Sequence, residues 1–416
     1  MSAAEKAFAR KIPTGQAAIW KAGRPRLARL DIELTERCNN DCLHCSVNLP
    51  AGDGEARDRE STASEVKDIL AEAASLGCLS VRFTGGEPLL REDFEELYLA
   101  ARKLGLRVRI FTNATLITPR LAEVLEKIPP LEKMEVSVYG MTAESSASVT
   151  GNPATFEAAR RGIALLLSRG VPFVVKGAVL PATKDETDRF EAWTREIPGM
   201  TGPPSYAMLF DLRSRRDQEA KNARIRALRL DPAEYIRMES RLGEGRPAEL
   251  RAFVARFGGC TGDRLFGCLS DAGCIDAYGR FQACLLLRHP DTVYDLKAGS
   301  LRAAVEEFLP KVREMKAANP AYLERCGRCF LKSLCLQCPA RSWAEHGALD
   351  TPVEYFCGIT HAQAEWIGIL APGEKAWEVS DGRRRIERPA IRRRNGTETQ
   401  TNGLAECKGE KTWKAR

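Results

Sequence analysis

Residues 38–45 read CNNDCLHC, placing Cys38, Cys42 and Cys45 on one short segment with three and then two residues between them. Thiols this close become metal ligands when deprotonated, provided that the compartment keeps them reduced. Structural zinc takes four ligands, and the nearest candidate for a fourth, His44, is adjacent to Cys45 and badly placed to chelate beside it. Three thiolates instead suit a [4Fe-4S] cluster whose fourth iron stays open to an outside ligand. A second stretch, TGGEP from Thr84 to Pro88, carries Gly85 and Gly86, where a backbone without side chains can approach a ligand closely. Further along, eight cysteines lie between residues 268 and 357, in the order CLSDAGCIDAYGRFQAC, CGRCFLKSLCLQC and then Cys357. The Cys-x2-Cys pairs there also suit a zinc knuckle, which would use four thiols and leave Cys268, Cys274, Cys284 and Cys357 without a role. Cys78 and Cys260 stand apart and read as small buried hydrophobes.

The elements that must position these residues alternate in type. β-type runs rich in β-branched and aromatic residues occupy 28–34, 79–84, 106–112, 134–139, 172–180 and 205–210. Amphipathic stretches separate them. Val66, Ile69, Leu70 and Ala73 keep one helical face, and Thr62 with Glu65 forms a capping-box pattern at its start. Parallel strands need such crossovers, so the pattern predicts an α/β fold, a partial (β/α)6 TIM-like barrel with its chemistry at the C-terminal ends of the strands. CNNDCLHC follows the first strand and TGGEP ends the second. The expected division is an N-terminal extension at 1–27, the barrel at 28–212, a charged helical bridge at 213–259, a loop- and cysteine-rich domain at 260–371 and a basic, disordered tail at 372–416.

Composition narrows the class of protein. With 416 residues, 44% hydrophobic and 29% charged, the chain reads as a globular protein of two domains. No run approaches the ~18 apolar residues of a membrane span and no apolar signal region opens the chain, so a cytoplasmic protein without a membrane partner is expected. The net charge of +7 resides wholly in residues 382–416, with eleven Lys and Arg against four Glu. A basic tail of this kind reads as a solvated appendage, and nucleic acid is not expected as a partner.

Cys38, Cys42 and Cys45, taken with the TGGEP stretch, resemble the signature of the radical SAM superfamily. The later cysteines resemble its SPASM extension, although Cys335 and Cys338 have two residues between them where many relatives have three. The resemblance implies that the open iron chelates S-adenosylmethionine and that one electron from the cluster yields a 5′-deoxyadenosyl radical, which abstracts a substrate hydrogen. It implies contacts to S-adenosylmethionine from Thr84, Gly85, Gly86, Glu87 and Pro88, and further ones from His44, Ser137 and Leu180. It also implies two auxiliary [4Fe-4S] clusters, one held by Cys268, Cys274, Cys284 and Cys338, the other by Cys326, Cys329, Cys335 and Cys357.

Substrate identity follows less directly, because one fold hosts many reactions. SPASM relatives mostly modify ribosomal peptides or proteins, so a peptide or protein substrate is expected, with a haem or other cofactor precursor as the alternative. Sulfatase-maturing relatives carry an acidic residue after the extension's third cysteine, where this chain has Leu285. The electron donor implied is a flavodoxin or ferredoxin. Leader recognition is expected to fall to a separate protein or to the bridge, where Arg213, Arg215 and Arg216 could grip an acidic peptide. A non-catalytic iron-sulfur carrier or zinc-binding adaptor is the rival of another class; cleavage of S-adenosylmethionine separates the two.

Overall fold

The structure, a computed structural model, describes residues 27–258, 261–268 and 272–387. Residues 1–26, Cys260 and the tail beyond 387 lie outside the described residues.

Strand β1, Arg29–Thr35, buries Leu30, Ile32 and Leu34 on one face and turns Asp31 to the other, the period-two pattern of a strand covered on one side by helices. β2, Arg37–Cys38, and β3, Leu49–Pro50, form a small parallel ladder of their own. β4, Ser80–Gly85, β5, Arg107–Thr112, β6, Met134–Ser137, β7, Phe173–Ala178, and β8, Ser205–Ala207, then add to β1 in sequence order, each parallel to the last. The six predicted strands all form, and their alternation with helices yields the expected partial barrel. β9, Ala272–Ile275, joins parallel to the free side of β1, and β10, Arg280–Gln282, and β11, Val293–Asp295, continue antiparallel. Sequence reading missed these last three strands.

Short helix α1, Gly54–Arg59, precedes the crossover helices α2, Ala63–Ser75, α3, Phe94–Lys103, α4, Pro119–Lys127, α5, Ala143–Thr150, α6, Thr155–Ser168, and α7, Thr187–Thr194. Thr62 caps α2 in the predicted box with Glu65. Val66 and Leu70, Phe94 and Leu97, Leu121 and Leu125, and Ile163 and Leu166 share one core with Ile32, Phe83, Ile110, Val136 and Val175. The opposite face of the sheet is polar: Asp31, Arg82 and Arg109 stand side by side in register across β1, β4 and β5.

The chain divides into two compact units, drawn differently from the expected domains. The first runs to Arg229 and includes Cys268–Val312, because β9 pairs with β1 and carries Cys274 into the main sheet. It ends its N-terminal part with α8, Glu219–Ala227. The second comprises Leu230–Gly267 and the chain from Arg313. It contains α9, Pro232–Ser240, α10, Arg246–Phe257, α11, Pro339–His346, and α12, Glu354–Trp366, around Leu250, Val254, Phe330, Leu331, Ala364 and Ile367. The start of the tail corrects the expectation of disorder: Gly382–Glu387 is helical, Ala376 and Ile386 join the same core, and Arg385 pairs with Glu374 and Asp381. Apolar residues between the basic ones drive this, whereas charge counting saw only the basic ones.

Candidate metal centre

The loop bearing Cys38, Cys42 and Cys45 leaves the C-terminal end of β1 and is pinned where it begins and ends. Arg37 and Cys38 pair with Leu49 and Pro50, so residues 39–48 form a closed lobe. From one side, the backbone N–H groups of Asp41 and Leu43 donate to the carbonyls of Thr150 and Val149 at 2.8 and 2.9 Å. Asn152 donates to the carbonyl of Asn39, and Thr155 to the side chain of Asn40 at 2.6 Å. The result is a short irregular loop whose backbone is held by neighbours rather than by regular structure.

Two backbone donors aim at sulfur: the N–H of Asn40 at Cys38 Sγ and that of Asn48 at Cys45 Sγ, each at 3.4 Å. Burial pushes the Cys38 thiol up to about 12, with the Asn40 donor opposing, and pushes Cys42 well above its ordinary value, with Cys45 and Cys38 adding to the effect. The thiols thus lie within electrostatic reach of one another in a partly dehydrated site. Among the described residues, no three Cys, His, Asp or Glu side chains converge tightly enough to hold one metal ion. Such a donor set fits a cluster that takes one sulfur per iron, with N–H donors to stabilise the ligating thiolates.

Gly85 and Gly86 lie where two strand ends meet. A Cβ on Gly85 would lie 2.0 Å from the carbonyl oxygen of Thr35, and one on Gly86 2.1 Å from that of Arg37. The missing side chains let the end of β4 close on the end of β1, where Gly86 N–H donates to Thr35 O at 2.7 Å and Glu87 N–H to Arg37 O at 2.9 Å. Gly85 also sits at φ +130°, a conformation that suits glycine. Thr84 is buried just before this junction, and Pro88 opens a single turn, Pro88–Leu90, just after it.

Glu87 is 1% exposed and accepts from Thr112 Oγ1 at 2.7 Å, the N–H of Asn113 at 2.8 Å and the N–H of Leu89 at 3.1 Å. Burial pushes its carboxyl up to about 7 while these donors pull the other way. It ties the end of β4 to the end of β5. Asn113 in turn reaches Cys38 Sγ at 3.9 Å and Asn39 at 2.9 Å. Sequence reading missed Asn113, Asn48 and Asn40; their placement after a strand end or beside a cysteine was the available signal.

His44 stacks edge-on against Tyr139 at 4.7 Å and tilts against Phe210 at 5.3 Å. Burial holds its imidazole down to about 4, so it is neutral, and its buried Nδ1 has no hydrogen-bond partner among the described residues. Ser137, at the end of β6, lines a cavity of about 450 Å³ together with Asn40, Tyr139, Phe156, Arg160 and Trp193. Leu180 is buried behind the end of β7, its carbonyl accepting from Thr183 and Lys184.

A buried charge network lies beside the first motif. Arg288 bridges Glu33 and Glu36, and Glu36 also meets Arg215 at 2.6 Å and Tyr278 Oη at 2.8 Å. Burial pushes Glu33 up to about 7; it works the same way on Glu36, but Arg288 and Arg215 outweigh it and lower that carboxyl. Arg213 and Arg215 do not stand ready for an acidic peptide. Arg213 has no exposed surface and pairs with Asp217, and Arg215 is committed to Glu36 and Asp217.

The later cysteines fall into both units. In the second, burial pushes Cys326 and Cys329 up to about 12 and raises Cys335 and Cys357, and Cys326, Cys329 and Cys335 each feel the charge of Cys357. Arg325 lies 3.9 Å from Cys357 Sγ. Cys338 precedes α11 in the same unit. Cys268 and Cys284 are exposed in the first unit, while Cys274 is fully buried in β9, opposite Asp31 in register.

Residues 32–193 match the family model described as the radical SAM superfamily. The chain is 27% identical over 345 residues to the AdoMet-dependent heme synthase of Methanosarcina barkeri, an alignment covering 76% of this chain and 92% of that protein. It is 32% identical over 158 residues to the PqqA peptide cyclase of Ruegeria pomeroyi, covering 38% of this chain and 41% of that protein. Native anSMEcpe with bound AdoMet shares the fold, with a TM-score of 0.58 and 16% identity over 82% of this chain and 96% of that one. With the cysteine loop and the Gly85–Glu87 junction at the ends of adjacent parallel strands, residues 32–193 belong to the radical SAM superfamily, and a cysteine-rich part follows them.

Proposed function

We propose that Cys38, Cys42 and Cys45 hold the [4Fe-4S] cluster at which S-adenosylmethionine binds, and that the substrate whose hydrogen is removed is a cofactor precursor of the haem type. Bound there, the cluster and S-adenosylmethionine supply a 5′-deoxyadenosyl radical, a chemistry that belongs to the cofactor rather than to any side chain. The protein's part is to hold and to exclude. Asn40 and Asn48 direct N–H groups at two sulfurs, Glu87 locks the β4 and β5 ends together, and the His44, Tyr139 and Phe210 rings offer an apolar wall to a nucleoside. The single observation that carries the site is that the loop bearing Cys38, Cys42 and Cys45 is pinned at the C-terminal end of β1, beside the Gly85–Glu87 junction.

The substrate class rests on the heme synthase relative, which aligns over 92% of its length. Modification of a peptide or protein is the second reading, favoured by the PqqA peptide cyclase match, which is higher in identity but spans less than half of that relative. We assign Cys326, Cys329, Cys335 and Cys357, all in the second unit, to one auxiliary cluster. Anaerobically reconstituted protein given dithionite and S-adenosylmethionine should release 5′-deoxyadenosine, and should do so faster with an iron coproporphyrin than with candidate peptides. Product analysis by mass spectrometry checks the pairing. A modified peptide with an unchanged porphyrin would reverse the order of the two readings, and absence of 5′-deoxyadenosine under every condition would remove both.

A further inference from the structure

Arg213 is a complete guanidinium without exposed surface, a costly placement unless its donors are used. Its Nε and Nη2 donate to the two oxygens of Asp217 at 2.6 and 2.9 Å, and Nη1 donates to the carbonyl of Asn48 at 3.1 Å. Arg215 Nη1 donates to the carbonyl of Val47 at 2.8 Å. Lys221, on α8, donates at 2.6 Å to both Asp41 Oδ1 and Asn48 Oδ1. Asn48 receives two of these cations, and its own N–H is the donor aimed at Cys45 Sγ, while its Nδ2 donates to Asn40 O and Asp41 Oδ1. Three cations from one stretch of nine residues, 213–221, therefore converge on the loop that carries the thiols.

We propose that this stretch is a positioning clamp, with Lys221 as its principal charge, that sets how readily the cluster at Cys38, Cys42 and Cys45 accepts an electron; the inference rests on the cluster assignment above. Reduction adds one negative charge to a cluster. A fixed cation nearby stabilises the reduced form more than the oxidised one, and an N–H donor at a ligating sulfur acts in the same direction. Lys221 contributes to both, since it brings the charge and holds the residue whose N–H meets Cys45. Its side chain is 8% exposed whereas that of its partner Asp41 is 70% exposed, so solvent screens the opposing carboxylate more than the ammonium. The electron comes from an external one-electron donor, dithionite in the test below.

The test is a redox titration of anaerobically reconstituted full-length protein followed by EPR, where the signal that changes on adding S-adenosylmethionine marks this cluster. Lys221→Gln keeps an amide donor without the charge. With iron content and thermal melt as in the wild type, its reduced-to-oxidised ratio at a fixed potential should fall about tenfold, which is 59 mV for a one-electron couple. Lys221→Arg should restore the ratio. An unchanged ratio in a fully loaded Lys221→Gln overturns the clamp's role. Asp41→Asn provides a reading in the opposite direction should Lys221→Gln lose iron: removing the opposing anion should raise the ratio several-fold, and a ratio that stays put or falls overturns the proposal. A wild-type protein without any signal sensitive to S-adenosylmethionine would overturn the cluster assignment itself, and the clamp with it.

Discussion

Cys38 illustrates how a single side chain depends on what binds it. Burial pushes its thiol up to about 12, so without iron it is protonated at neutral pH and metal must displace that proton. Cys38→Ala is expected to abolish 5′-deoxyadenosine release and to remove about four irons per chain, measured by product chromatography and iron assay. Glu87→Ala should leave the Thr112, Asn113 and Leu89 donors without their acceptor, at a cost of ~3 kcal/mol or more in denaturant melts. Glu33 makes a prediction about pH. An acid whose folded pKa lies above its unfolded one contributes stability that is complete below its ordinary value of 4.5 and is lost as pH rises through about 7. Wild type should therefore lose ~2–3 kcal/mol relative to Glu33→Gln between those two pH values, and parallel curves would contradict the assignment. The cysteines and TGGEP were legible as residues. Asn48 and Arg288 were not, since an amide or a guanidinium in a sequence carries no sign of the carbonyl or carboxylate it will meet.

At the scale of elements, the site depends on how closely β1 and β4 approach at their C-terminal ends. Gly86→Ala would drive a methyl group into the backbone of Glu36 and Arg37, where the nearest carbonyl oxygen lies 2.1 Å away. Neither strand can yield without breaking the parallel ladder from Arg29↔Ser80 to Thr35↔Gly85. The expected outcome is a melt lowered by several kcal/mol together with loss of S-adenosylmethionine binding, read by calorimetry. Strand runs and helix faces were readable because period-two and period-3.6 patterns are local. β9 escaped because its four residues, Ala272–Ile275, read as part of a cysteine motif, and because pairing with β1 joins segments far apart in the chain. The tail helix Gly382–Glu387 escaped for a related reason: the apolar residues that anchor it are outnumbered by arginines in the same stretch.

At the scale of the whole molecule, the two compact units divide the cysteines between them. Cys326, Cys329, Cys335 and Cys357 lie in one unit, and the thiols of the 38–45 loop in the other. Cys357→Ala is therefore expected to lower iron content by up to about four per chain while 5′-deoxyadenosine formation driven by dithionite persists, since the chemical reductant can reach the first cluster directly. Loss of that activity would mean that the second unit is needed to load or support the first cluster.

The sequence by itself determined the family, the order of the six parallel strands and the thiols available for metal, because ligand spacing and strand or helix periodicity are written within a few residues of one another. Only the tertiary structure decided what surrounds those thiols: the 213–221 stretch folded onto the cysteine loop, and Arg288 placed against Glu33 across a separation of 255 residues. Such contacts follow from strand register and packing, which many sequences satisfy in different ways, so no local pattern announces them.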